Sequence, residues 1–120
     1  QHVTAVGPLP LPKATRYAMQ IISAKFTPGM YSRAHTHSGV EAFYVHAGEQ
    51  CLQTPTSATL LRKGETLFLP AGTPMRAVAT GTGIRYGFAI IIHDASQPPT
   101  MQMDDATAPK LAPCSEARAQ

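Results

Sequence analysis

The sequence predicts an all-β domain, and three observations lead to that prediction. Seven or eight short apolar runs recur about every ten residues, which is typical of β-sandwiches and barrels. Eleven prolines and nine glycines interrupt the 120 residues and leave little room for long helices. The length corresponds to one domain.

Each predicted strand ends at residues that favour turns. The predicted strands cover residues 16–26, 41–47, 49–54, 58–62, 66–69, 75–79 and 84–93. The interrupting residues are, in chain order, Thr27-Pro28-Gly29, Gly48, Pro55, Lys63-Gly64, the turn from Pro70 to Pro74, and Gly81-Thr82-Gly83. Glycine reaches backbone conformations closed to other residues, and proline removes a strand's hydrogen-bond donor, so both end strands.

Two flanking segments differ from this pattern. In residues 1–15, prolines at positions 8, 10 and 12 alternate with leucines, which predicts an extended N-terminal arm rather than a helix. Residues 95–120 contain four prolines and are predicted to form a tail that wraps the body. The domain therefore divides into an arm, a core over residues 16–94 and a tail.

Composition and charge exclude several function classes. The chain is 43% hydrophobic and 14% charged, a globular balance. Its net charge is +3, and the basic residues are scattered rather than arranged in a stripe, so nucleic-acid binding is not predicted. No apolar run approaches the roughly 20 residues that a membrane-spanning helix needs.

The two cysteines, Cys51 and Cys114, bear on the cellular compartment. The sequence starts at Gln1 rather than Met, as in a processed exported protein or a trimmed chain. We predict a secreted or periplasmic location, with the cytoplasm as the alternative. In an oxidising compartment we expect a Cys51–Cys114 disulfide, which the chain-entropy model values at about 4 kcal/mol. In the cytoplasm, two free thiols are expected.

The candidate metal ligands are His35, His37 and Glu41. Their spacings are even, so in a near-extended run the three side chains project from one face. Two imidazoles and one carboxylate hold a divalent transition metal and leave coordination positions open for chemistry. The ligand set does not select between Fe, Mn, Ni, Zn and Cu.

Other side chains are candidates for lining a pocket around the metal. Phe43 and Val45 have the same strand parity as Glu41 and are predicted to face the interior with it, making an apolar wall. Gln53 and Arg76 are candidates for holding a substrate carboxylate or hydroxyl, because a guanidinium matches a carboxylate.

Two motifs resemble those of the cupin superfamily. The run Gly29-x5-His35-x-His37-x3-Glu41-x6-Gly48 matches the first cupin motif, and Gly64-x5-Pro70-x-Gly72 matches the opening of the second. The resemblance covers about residues 16–94 and is to small single-domain bacterial cupins. It implies a double-stranded β-helix, or jelly-roll barrel, and a homodimer. It also implies a metal held by the two histidines and the glutamate, with a further histidine from the second motif.

The chain departs from the second motif at that last ligand. Met75 stands where the fourth ligand histidine is expected, and Ala79 stands at the motif's asparagine position. Three consequences are open. In the first, the metal has only three protein ligands. In the second, the Met75 thioether is the fourth ligand, which favours copper. In the third, the pocket binds no metal.

The predicted function is that of a metal-binding small cupin acting on, or binding, a small organic molecule. As an enzyme it would be of the dioxygenase or Lewis-acid type, with Glu41 as a possible general base. The alternative is a non-catalytic module that binds a metal or small ligand for sensing or sequestration. A metal-free cupin of the sugar-isomerase kind is disfavoured, because it leaves the intact His35, His37 and Glu41 set without a role.

Overall fold

The computed structural model of the chain describes residue 1, residues 3–104 and residues 106–120, so His2 and Asp105 lie outside the described residues. The described residues form one short 3₁₀ helix, Cys114–Glu116, and ten strands: β1 Tyr17–Phe26, β2 His35–His37, β3 Val40–Ala47, β4 Glu49–Gln53, β5 Ala58–Arg62, β6 Thr66–Leu69, β7 Arg76–Thr80, β8 Arg85–Asp94, β9 Thr100–Gln102 and β10 Arg118–Ala119. The prediction of an all-β chain is confirmed. No helix in this part of the chain is long and apolar enough to cross a membrane.

The strands form two four-stranded sheets and one two-stranded ribbon. The first sheet has the order β1-β8-β3-β6, the second β10-β5-β4-β7, and β2 pairs with β9. All these pairings are antiparallel except that of β10 with β5. The buried apolar cluster draws on both large sheets: Phe43, Val45, Leu52, Leu61, Met75 and Ala77, with Leu67, Leu69 and Ala89 packed against it. The core therefore lies between the sheets.

The seven predicted strands agree with the observed ones to within a residue at each end. β3 is central in the first sheet, where Glu41 lies opposite Leu69 of β6 and Ile91 of β8. It ends at Gly48, whose φ is 76°. A Cβ there would overlap the Ile84 carbonyl oxygen. The chain therefore needs glycine to turn at this close approach.

The described residues of the predicted C-terminal tail include two short strands that the sequence did not predict. β9 pairs with β2, and β10 pairs with the edge of β5. Both are only two or three residues long and lie near prolines, so sequence pattern gave no strand signal. They are strands because the body offers them open edges to pair with.

A disulfide between Cys51 and Cys114 fixes this segment to the body, with a Cα–Cα distance of 6.1 Å. Cys51 is fully buried on β4. Next to it, the Gln53 side-chain amide donates to the Ala112 carbonyl at 2.9 Å, and the Ala112 amide donates to the Thr54 carbonyl. The C-terminal segment therefore covers the outer face of the second sheet.

Candidate metal centre

The structure brings His35, His37 and Glu41 together. Their candidate ligand atoms all lie within 4.8 Å of one another. His37 and Glu41 are 5% and 4% exposed, and His35 is half-buried. The two imidazole rings are nearly perpendicular, with centroids 4.8 Å apart. Three side chains that can each donate an electron pair thus converge in a largely buried space.

The path of the backbone differs from the single extended run that the spacing suggested. The histidines lie on β2, the chain bends at Ser38 and Gly39, and Glu41 follows on β3. A Cβ on Gly39 would overlap the backbone of β8 at Ile92 and His93. Glycine therefore lets the chain pass against β8 and deliver Glu41 from the adjoining strand.

Backbone carbonyls set the tautomer of both histidines. The Nδ1 of His35 lies 2.6 Å from the Arg33 carbonyl oxygen. The Nδ1 of His37 lies 3.1 Å from the Pro99 carbonyl oxygen and 3.0 Å from the Thr100 hydroxyl. A carbonyl can only accept, so Nδ1 must carry the hydrogen in each ring. The lone pair on each Nε2 atom is therefore free to bind a metal. Metal-binding histidines are commonly oriented in this way, by a second partner that accepts the hydrogen of the other ring nitrogen.

The Nε2 of His37 and the Oε1 of Glu41 are only 2.9 Å apart. Both atoms are buried and neither has another hydrogen-bond partner among the described residues. With Nδ1 carrying the hydrogen, Nε2 presents a lone pair to a carboxylate oxygen, a repulsive contact that a bound cation, or a proton on either group, would relieve. Atoms this close can both reach a metal at the usual bond length of about 2.1 Å. The donor set fits a divalent transition metal.

Met75 lies at the edge of this centre. Its backbone pairs with that of His35 through two hydrogen bonds of 3.0 Å. Its side chain is 1% exposed, belongs to the apolar core, and lines the same cavity as His35 and Glu41. Thioethers fill irregular gaps well, so packing alone accounts for this residue. Ala79, at the motif's asparagine position, is buried and carries no polar side-chain atom.

The cavity beside the centre has a volume of about 150 Å³. His35, Glu41, Phe43 and Met75 line it, whereas Val45 lies deeper in the core. Sequence reasoning missed three polar residues on its wall: Ser32, Gln50 and Arg85. Strand parity places Arg85 on the same face of β8 as Ile91, and the burial of Ile91 in the structure shows that this face is the interior one.

Gln53 and Arg76 lie elsewhere, which corrects their predicted place beside the metal. They are opposite each other on β4 and β7 and line a separate cavity under the C-terminal segment. The Arg76 guanidinium lies 5.1 Å from the centre of the Tyr31 ring. Their neighbours Leu52 and Ala77 take the inward positions, so Gln53 and Arg76 face outward by alternation.

Comparison with known proteins adds a family and a fold. A family model described as a cupin domain matches residues 23–86. No curated protein sequence matches the chain. A cupin-like protein from Thermotoga maritima superposes with a TM-score of 0.66 at 21% identity, covering 74% of this chain and 67% of that one. A Klebsiella pneumoniae protein with a double-stranded β-helix domain gives 0.63 at 16% identity, covering 86% and 91%.

An oxalate oxidase in complex with the substrate analogue glycolate gives a TM-score of 0.62 at 20% identity, covering 71% of this chain and 46% of that one. The chain thus spans less than half the length of this enzyme. At these identities the neighbours establish the fold alone, and the predicted jelly-roll barrel is confirmed.

Proposed function

Because this chain belongs to the cupin family, with the family model covering residues 23–86, we propose that it is a metal-dependent enzyme for a small organic molecule. The metal would be held by His35, His37 and Glu41, and the substrate would occupy the adjoining cavity. The buried contact of 2.9 Å between His37 and Glu41 supports this proposal most strongly, because it is costly without a bound cation or an extra proton.

The chain's own residues have distinct parts in the proposed reaction. The Arg33 and Pro99 carbonyls keep the Nε2 atoms of the two histidines directed at the metal. Phe43 and Met75 exclude water from the cavity. A bound divalent transition metal would supply Lewis-acid or redox chemistry at its open positions. Glu41 is the candidate general base once it leaves the metal, because a carboxylate released at the cavity wall can accept a substrate proton.

The rival function is a binding module without turnover. It is favoured by the cavity volume of about 150 Å³, which is small compared with the pockets of most small-molecule sites. Such a module would bind a metal or a small ligand for sensing or sequestration, using the same three ligands.

Turnover by the metal-loaded protein separates these functions. Oxygen uptake and product formation would be followed for protein loaded separately with Fe, Mn, Ni, Cu or Zn, using short acids, diols and thiols. We expect turnover with at least one metal and its loss in Glu41→Gln. Glu49→Gln is the matched control, because Glu49 pairs with Arg62 outside the cavity. Stoichiometric metal with no turnover on any substrate would support the binding module.

We also propose that the protein works in an oxidising compartment, secreted or periplasmic. The disulfide between Cys51 and Cys114 supports this location, because cytosolic thiols are kept reduced.

A homodimer through the outer face of the first sheet is a further proposal. Met19 and Ile21 are 60% and 65% exposed there, opposite Ile92 and Ile90 of β8. Val6 of the N-terminal arm lies along the same face. An apolar face of this kind marks an association surface, and a second copy of the chain can cover it symmetrically with its own.

Ile21→Asp is expected to convert the dimer to a monomer, because it places a charge within the proposed apolar contact. Analytical ultracentrifugation would measure the mass in solution. Met30→Asp serves as the control, because Met30 is half exposed and lies outside the sheets. A wild-type mass equal to one chain would refute the dimer.

A further inference from the structure

Arg85 is a buried cation inside the barrel that the proposed metal chemistry leaves unused. It begins β8 and is 6% exposed. Its guanidinium lies 4.0 Å from the centre of the Phe26 ring, and its Nη1 is 3.5 Å from the Ala24 carbonyl oxygen. Its Nε is buried without a hydrogen-bond partner, and no ion pair to Arg85 is found among the described residues.

The Phe26 ring face favours the guanidinium, but no carboxylate of the described residues forms an ion pair with Arg85. A guanidinium has five N–H donors. Here Nη1 makes one long contact to a carbonyl, and the buried Nε makes none. Burial lowers the pKa of Arg85 from its usual value, as removal from water disfavours the charged form. An anion beside it would supply both the missing charge and the missing acceptors, and a carboxylate matches the guanidinium fork.

Arg85 shares its cavity with the candidate metal centre. Arg85 lines the same cavity of about 150 Å³ as His35 and Glu41. Gly87 helps to leave room for it, since a Cβ there would lie 3.2 Å from Nη1 of Arg85. Gln50, which is 3% exposed, adds a polar group to the same wall. A cavity of this volume accepts a molecule of about six non-hydrogen atoms.

We propose that the barrel binds a small carboxylic acid whose carboxylate is held by Arg85, with the remainder of the molecule directed toward His35 and Glu41. The proposal rests on the proposed function for the metal end of the cavity and narrows its substrate class to short organic acids. The carboxylate subsite itself consists only of protein groups, so it can be tested without metal.

The test is binding of glycolate and of its neutral counterpart glycolamide to metal-stripped protein, measured by calorimetry and by NMR. Glycolate is expected to bind and glycolamide to bind far more weakly. In Arg85→Gln, glycolate affinity should fall about 10- to 100-fold, as expected for the loss of a charge-assisted hydrogen bond. Arg85→Lys should retain part of the affinity. Arg76→Gln is the control, because Arg76 lines the separate cavity.

A second measurement covers the case in which Arg85→Gln fails to fold. In the wild-type protein, the Nε–H signal of Arg85 should shift on addition of glycolate and stay unchanged with glycolamide. Any one of three results would refute the carboxylate subsite. Glycolate and glycolamide could bind equally well, Arg85→Gln could bind glycolate as tightly as wild type, or the Nε–H signal of Arg85 could stay unchanged on addition of glycolate. Metal content is measured separately, so the glycolate result can be interpreted even if the protein proves to bind no metal.

Discussion

Replacement of His37 by alanine is expected to weaken metal binding by more than about 100-fold and to leave the purified protein without stoichiometric metal. Removal of groups that merely orient a ligand already costs 10- to 100-fold in metal affinity, and His37 is proposed to be a ligand itself. His37 also holds the closest approach to Glu41, at 2.9 Å. Metal analysis after dialysis against each candidate ion gives the stoichiometry, and titration with a competing chelator gives the affinity.

Two control variants sharpen this experiment. His46 is an exposed histidine on the outer face of β3, beside the Tyr86 ring, so His46→Ala should leave the metal content unchanged. Met75→Leu keeps the packing volume and should weaken metal binding only slightly. A large loss in Met75→Leu would restore the thioether as a ligand, and a wild-type protein that takes up no metal would support the metal-free pocket.

Removal of the disulfide is expected to cost about 4 kcal/mol of unfolding free energy. The two cysteines are 63 residues apart, and opening a loop of this length releases much conformational entropy in the unfolded chain. The double variant Cys51→Ala/Cys114→Ala avoids leaving a single reactive thiol. Chemical denaturation of wild type and variant, with the midpoint and slope fitted together, measures the difference.

Reductant provides the internal control for this comparison. Wild-type protein should lose stability when reduced, whereas the double variant should respond to reductant by less than about 0.5 kcal/mol, the range of neutral substitutions. A thiol titration of unfolded, unreduced protein should find no free thiol. Two free thiols would refute the disulfide and remove the support for an oxidising compartment.

Short-range patterns predicted most of the fold. Alternation and turn residues located seven of the eight strands between residues 16 and 94 to within a residue, and only the three-residue β2 was not predicted. The local spacing of His35, His37 and Glu41 also identified the candidate ligands, because all three lie close together in the sequence, on β2 and at the start of β3. Features that depend on residues close together in the sequence could therefore be predicted from it.

Features that depend on contacts between residues far apart in the sequence could not be predicted from it. The Pro99 and Thr100 groups that orient His37 lie more than 60 residues away from it. Alternation divides β4, β7 and β8 into two faces without showing which face is interior. For that reason the sequence does not reveal that Gln53 and Arg76 line a separate cavity, or that Arg85 lines the cavity beside the candidate metal centre.

The contact between His37 and residues 99–100 has a thermodynamic consequence. Strand β9 pairs along the whole of β2, and its Thr100 lies directly opposite His37. Any ion that favours the observed ring orientation must equally favour docking of this segment, because linkage between two equilibria is reciprocal. Cation loading should therefore slow amide hydrogen exchange at β9, a stretch that contributes no ligand of its own.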